Sequence, residues 1–441
     1  MSNVLLPGGH LLRNLPAMPR ICTLAAIAAA TLGSLPLRAI QSAAPAPFEL
    51  PAPTGTYPVG TATWRLTDSA RMETLDGSGA PRSVEVFAWY PAAPAGAGKR
   101  APYLREGLAE VRTFAKMIGA PEDVWDGLAE VQTHAVLDAM PALSLQKFPV
   151  LVFSHGYTGI PSAYTALLED LASHGYAVLS IVHPYEATAA TLADGRVVSL
   201  LDGSGKPVAG VAEVFAEWRT EDATTEAVTK TSDEAEKLRL LRGYLGGLNK
   251  THVALQRWVD DTKLVLDRLA SLPKETPGGR LRPRLDMRRL GVFGHSMGGV
   301  TAAQFCVDDR RCRAGLNLDG IPQYGTMIDK PAGRPFLMVY SARPGRLGAS
   351  DAIYRRGARP YYRVDVRDTR HLDFSDMAFW GGPLRERPGP LGSIEPERVD
   401  AITRVIVREY FDQELLGRRS AMLAGTPRFP EVSVQTIAPP R

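Results

Sequence analysis

The strongest constraint on this chain lies at Gly291-Val292-Phe293-Gly294-His295-Ser296-Met297-Gly298-Gly299, a short apolar run, then Gly-x-Ser-x-Gly, then a helical stretch from Val300. The five-residue pattern alone carries little weight, since in a chain this rich in glycine it arises by chance roughly 0.2 times. Its placement between a strand and a helix raises it. A serine on such a turn is held in a strained backbone conformation, and the two glycines remove side chains that would collide with the adjoining strand and helix. The motif therefore demands a strand, a sharp turn and a helix in immediate succession.

The surrounding sequence supplies that setting. Short apolar runs at 150–153, 177–182, 289–293, 314–318, 335–340 and 361–366 end in polar or glycine-rich turns and alternate with helical segments. This is the pattern of an α/β protein with a largely parallel sheet and crossover helices. Residues 162–173 read as a helix, Leu255, Trp258, Val259, Thr262, Leu266 and Leu269 recur at helical spacing, and a last helix is predicted over 395–416. Two earlier β-type runs, 61–66 and 84–90, predict antiparallel strands ahead of the parallel core. Two stretches fit no β-α repeat: an amphipathic helical pattern over 103–128, and a charged segment over 211–249 that is either a cap above the strand ends or a solvated excursion. One domain is therefore placed at 55–420, with insertions at about 101–145 and 204–250 and a C-terminal tail at 421–441.

The amino terminus differs in kind. Arg13 and Arg20 precede an Ala-rich apolar run over 21–32, followed by small residues and proline up to Pro47, the layout of a secretory signal over 1–44, with Met18 as an alternative start. Export is the expectation. Once Cys22 leaves with the leader, Cys306 and Cys312 remain, and a local disulfide between them suits an oxidising compartment. With 51 basic and 47 acidic side chains, a net charge of +4 and no Lys/Arg block, the chain carries no signature of a nucleic-acid partner. Its 45% hydrophobic and 22% charged residues are those of a globular protein and argue against disorder or multiple membrane spans. Membrane contact is left open but not indicated, and oligomeric state is not legible.

A serine hydroxyl is a poor nucleophile near neutral pH, so Ser296 needs a base within hydrogen-bond reach and an acid to hold that base in the right tautomer. In this arrangement the acid and then the histidine follow the serine in the chain. Of eight histidines only His371 follows Ser296. Asp308, Asp309, Asp319, Asp329, Asp351, Asp365 and Asp368 all lie between the two, but only Asp319 falls directly at the end of a predicted parallel strand, where the working residues of open α/β sheets gather. Donors for a developing oxyanion are expected from the backbone N–H groups of Met297 and of Tyr157, the latter in the loop after the run 150–153. His155, His174, His183 and His295 precede the serine and read as structural. The chemistry calls for no metal and no organic cofactor.

Taken in order, Phe148-Pro-Val-Leu-Val-Phe-Ser-His-Gly, Asp170-Leu-Ala-Ser-His-Gly-Tyr, Gly294-His-Ser-Met-Gly-Gly, Leu318-Asp-Gly and His371-Leu-Asp-Phe resemble the secreted platelet-activating factor acetylhydrolases and their bacterial dienelactone hydrolase-like relatives. The resemblance runs from about Asp68 to Phe379. It implies an α/β-hydrolase fold with helices on both faces of the sheet and cap-like insertions, and calcium-independent hydrolysis of short or oxidised acyl esters. It places nucleophile, acid and base on Ser296, Asp319 and His371, and the donors on Tyr157 and Met297. The Gly156-Tyr-Thr-Gly loop departs from the animal enzymes, and Ser296 stands where dienelactone hydrolases proper carry cysteine. The reading is a serine carboxylic ester hydrolase acting on a small-molecule or lipid ester. An amidase or peptidase with the same triad, and a non-catalytic binding protein on this scaffold, are the alternatives.

Overall fold

A computed structural model describes residues 48–94, 98–320 and 324–437. The leader expected over 1–44, and with it the reading of export, lies outside the described residues. In chain order the strands are β1 (Val59–Met72), β2 (Pro81–Pro91), β3 (Arg100–Pro102), β4 (Gln132–Leu137), β5 (Phe148–Ser154), β6 (Ala177–Val182), a separate short pair β7 (Ala190–Thr191) and β8 (Val197–Val198), then β9 (Leu285–His295), β10 (Ala314–Leu318), β11 (Phe336–Ser341), β12 (Tyr361–Val366) and β13 (Val432–Ile437). Eleven of them form one sheet in the order β13-β12-β11-β10-β9-β5-β6-β2-β1-β4-β3. From β6 to β12 every neighbouring pair is parallel, while β2 joins β6, and β13 joins β12, antiparallel. This is an α/β-hydrolase fold with helical cap-like insertions.

Side-chain alternation explains the layering. In β5, Val150 and Val152 join one apolar layer, Leu151 and Phe153 join the other, and all four are fully buried. Strands covered by helices on both faces read as continuous apolar runs for this reason. The helices Asn249–Leu269 and Met297–Asp308 pack on one face, and Thr165–Ser173 and Pro396–Leu416 on the other. The topology also locates a crevice. β6 lies on one side of β5 and β9 on the other, so the strand order reverses between β5 and β9, and ligands of open α/β sheets bind at the strand carboxyl ends at such a point. Ser154 ends β5 and His295 ends β9.

Three segments differ from the sequence expectation. The helix expected over 103–128 is confined to Leu108–Met117, because Gly119 takes a left-handed φ of 67° and Pro121 follows, and a short turn of helix at Asp126–Glu130 stands alone. The stretch 211–249 is no solvated excursion: it forms the helices Ala209–Glu217, Glu221–Lys230 and Glu234–Leu245, whose Val211, Val214, Val228, Leu238 and Leu241 enter the main core. The C-terminal segment read as a tail supplies β13, the edge strand on β12.

Beneath the cap lies a buried ionic network. The Arg82 guanidinium, 2% exposed, meets Glu73 at 2.6 Å and Asp261 at 2.8 Å, and Asp261 also accepts from His183 Nδ1 at 2.9 Å. Burial alone would raise the Asp261 pKa, yet Arg82 and the His183 hydrogen bond hold the carboxyl well below the usual carboxylate range. Removing one member of a buried pair strands the other charge. Asp261→Ala is expected to lower unfolding stability by about 3 kcal/mol, measured by urea denaturation; a loss within experimental error would show that Arg82 finds adequate compensation in Glu73.

Candidate active site

Ser296 follows β9 directly and caps the helix Met297–Asp308, with φ 54° and ψ −123°. That left-handed backbone is costly for serine and persists because neighbours fix it. A Cβ on Gly294 would lie 2.3 Å from the Gly298 carbonyl carbon, and one on Gly298 would lie 2.0 Å from the Ser154 carbonyl oxygen. Helix, strand and the end of β5 are thus in backbone contact, and only glycine fits at either place. The Ser296 N–H donates to the Leu318 carbonyl at 2.8 Å, tying the turn to the end of β10.

Asp319, the residue after β10, is 1% exposed and likewise has a positive φ, 55°. Its Oδ1 accepts the Ser341 N–H at 2.9 Å, and its Oδ2 accepts the Ser341 hydroxyl at 3.0 Å and His371 Nδ1 at 2.7 Å. Arg343 Nη2 stands 3.0 Å from the same Oδ2. Burial by itself would raise this carboxyl; the Arg343 charge and the bonds from His371 and Ser341 win, and hold it well below the usual range. An ionised Asp319 fixes the His371 tautomer with the proton on Nδ1, leaving Nε2 as the ring's acceptor.

His371 opens the short helical turn His371–Phe374 after β12, its side chain a quarter exposed. Its carbonyl accepts His295 Nε2 at 2.8 Å, the two rings lie 4.4 Å apart, and His295 Nδ1 is 3.0 Å from the Tyr164 hydroxyl. Burial, then the neighbouring His371, pushes the His295 pKa down to about 3, so His295 is a neutral strut between Tyr164 and the loop carrying His371. The next loop anchor is Asp373, whose Oδ2 accepts the backbone N–H groups of Arg370 and Gly392, each at 2.6 Å.

On the other side of the crevice, the loop after β5 is clamped from behind. His155 Nε2 accepts the His183 N–H at 3.3 Å, so its Nδ1 carries the proton and donates to the Gly156 carbonyl at 2.7 Å. Thr158 N–H donates to the Glu186 carbonyl at 2.8 Å, and Thr188 N–H to the Gly159 carbonyl at 3.0 Å. The Tyr157 ring is buried against Trp258, 6.0 Å away, and against the cap's Phe215 and Trp218, at 5.9 and 5.4 Å. The cap is tied down in turn where Trp218 stacks on Tyr324 at 5.6 Å and where Arg346 pairs with Glu221 and Asp222. Cys306 and Cys312 are joined as a disulfide between the end of helix Met297–Asp308 and the approach to β10.

The structure therefore brings Asp319 and His371 into contact and sets Ser296 one residue from His295, which bonds the His371 backbone. Sequence reasoning missed Arg343, which lies in an unremarkable loop after β11, and the cap contacts of Tyr324 and Arg346; no local pattern marks any of them. Among the described residues no group of three or more His, Cys, Asp or Glu side chains is placed to hold a metal ion, and no helix is long and apolar enough to cross a membrane.

The chain is similar to several known esterases and acetylhydrolases. Residues 44–205 match the family described as "Platelet-activating factor acetylhydrolase, isoform II". The dog platelet-activating factor acetylhydrolase is 25% identical over 250 residues, covering 55% of this chain and 52% of that protein. The chain thus spans about half the length of the mammalian relatives it matches. A probable 1-alkyl-2-acetylglycerophosphocholine esterase of Arthroderma benhamiae is 23% identical over 437 residues, 90% of this chain and 97% of that one. Among solved structures, the ferulic acid esterase from Streptomyces cinnamoneus superposes with a TM-score of 0.65 at 28% identity, covering 88% of this chain and 99% of its own.

Burial first, and then Arg343, lower the His371 pKa below its ordinary value, while Asp319 opposes them. A cation beside an imidazole disfavours the protonated form. Arg343→Met should therefore raise the His371 pKa, read from the ring-proton NMR titration. A fall would mean that the Arg343 charge acts on His371 mainly by keeping Asp319 ionised.

Proposed function

Because the chain is an α/β-hydrolase related distantly to platelet-activating factor acetylhydrolases and other esterases, we propose that it is a serine carboxylic ester hydrolase working through an acyl-enzyme. Ser296 Oγ attacks the ester carbonyl while its proton passes to His371 Nε2. Asp319 holds the Nδ1–H and stabilises the imidazolium that forms. The N–H groups of Tyr157 and Met297 receive the oxyanion, the leaving alcohol takes its proton from His371, and water then repeats the sequence in reverse to free the acid. The observation that carries this reading is the 2.7 Å bond between His371 and the buried Asp319, at strand ends that adjoin a serine in a left-handed backbone. A His371 pKa held below its ordinary value keeps the imidazole neutral, as a base must be, at neutral pH.

The favoured substrates are short-acyl esters, the acetyl group being the one named in the relatives' descriptions. Aromatic acyl esters are the second reading: the structural neighbour is a ferulic acid esterase, and the cap sets Phe215 and Trp218 against Tyr157 at the oxyanion loop. The disulfide suits the oxidising compartment to which the expected leader would deliver the chain.

Hydrolysis of p-nitrophenyl acetate and of methyl ferulate separates the two readings, and p-nitroacetanilide separates ester from amide cleavage. Ser296→Ala should lower kcat/KM on the preferred ester by at least about 10⁴-fold; parent and variant equally inactive on all three would reject the hydrolase reading. A Cβ on Gly156 would meet His295 Nδ1 at 3.2 Å and Ser296 Cβ at 3.3 Å. Gly156→Ala should thus displace the Tyr157 donor and lower kcat on the order of 10²- to 10³-fold with little change in thermal stability. Unchanged kcat would remove Tyr157 from the oxyanion site.

A further inference from the structure

Far from this crevice, one loop exposes large apolar side chains to water. Met140, Leu143 and Leu145 are 64%, 82% and 108% exposed, while Pro141 and Ala142 between them are buried. The loop is anchored: Ala93 N–H donates to the Met140 carbonyl and Ala142 N–H to the Pro91 carbonyl, both at 2.8 Å. Its outward leucines are therefore presented by a fixed backbone. Isolated exposed leucines need no explanation, but three large apolar side chains within six residues do.

The loop runs into the first residue of β5, so it lies at the pole of the sheet opposite Ser296 and Asp319. At the same pole the segment leading into β9 and the first residues of that strand are strongly basic. Phe148 pairs with Leu285 and Pro149 with Asp286, Arg289 Nη2 donates to the Lys147 carbonyl at 3.0 Å, and Arg280 reaches Asp138 at 3.7 Å. Arg282 and Arg284 lie in the same stretch, and the Arg288 side chain is 89% exposed. Residues 138–147 and 271–289 together carry seven Lys and Arg against three Asp and Glu, an excess equal to the net charge of +4 of the whole chain.

We infer that this pole docks on an anionic lipid surface, with Met140, Leu143 and Leu145 entering the headgroup region and the surrounding arginines meeting lipid phosphates. Apolar insertion combined with a basic rim is the pairing that holds a protein on such a surface. A second copy of the chain is a poorer occupant, since a two-fold contact would set two positive faces against each other. A nucleic-acid backbone would engage the arginines but offers nothing to the leucines. Docking here leaves the crevice facing away from the bilayer, so hydrolysis of soluble esters proceeds whether or not the protein is bound.

The test is co-sedimentation of the full chain with vesicles of phosphatidylcholine alone and of phosphatidylcholine with an equal part of phosphatidylglycerol. Leu143→Ser/Leu145→Ser and Lys147→Glu/Arg288→Glu are compared with the parent, all carrying the same N-terminal residues. The parent should bind the anionic vesicles more tightly and release them as salt rises. Each double variant should bind about tenfold more weakly, because both the apolar and the basic component are needed for stable attachment. Equal binding by parent and variants, no binding to anionic vesicles, or a parent dimer that the leucine variant dissociates would each overturn the proposal. Thermal melting monitored by circular dichroism establishes that the variants remain folded, without reference to activity. The outcome is independent of the ester-hydrolase reading, which p-nitrophenyl acetate tests separately.

Discussion

Backbone packed directly on backbone sets the geometry of this site. A Cβ on Gly298 would come within 2.0 Å of the Ser154 carbonyl oxygen and 2.5 Å of that of His155, so the helix after β9 rests on the end of β5 with no side chain between them. The close approach fixes the sharp turn at Ser296 and brings the Gly156–Tyr157 peptide beside it. It also lies where the strand order reverses, which is why the two loops converge and do not merely run parallel. Asp319 and His371 then need only to follow the next strands outward, β10 and β12, for their side chains to meet above the sheet.

The residue types of the site recur elsewhere in the molecule. His183 Nδ1 contacts Asp261 at 2.9 Å and its Nε2 lies 3.2 Å from the Ser154 hydroxyl, an Asp-His-Ser series like that expected of Asp319, His371 and Ser296. Every member of the inner series is sealed from solvent: His183 is fully buried and pushed down to about 4 by desolvation, and it stacks on Trp258 at 3.9 Å. No substrate reaches it, and its strained-turn counterpart is missing because Ser154 ends an ordinary strand. Its role is mechanical, holding His155 and so the Gly156 carbonyl from behind. Access and backbone strain, rather than residue identity, distinguish the two.

Much of the fold was legible because the core strands are apolar runs of the right length, and because Gly-x-Ser-x-Gly dictates its own neighbourhood. The contact between Asp319 and His371 was legible through strand position and chain order. The cap was ambiguous because its surface-facing residues are charged, and Val211, Val214 and Leu241 acquire a core only when the sheet is there to pack on. β13 was missed since an edge strand of six residues after a proline has too little pattern to stand apart from a tail. Arg343 could not be read at all: its effect on Asp319 arises from a contact across 24 residues that no periodicity encodes.

Arg343 and Arg346 occupy one turn, with the Arg346 N–H donating to the Arg343 carbonyl at 3.3 Å. The first sits on Asp319 and the second on the cap's Glu221 and Asp222. Besides burial, both arginines lower the basicity of His371, so a change in this turn that loosens the hold on the cap alters the charge around the imidazole as well: one short loop couples the seating of the cap to the protonation of His371.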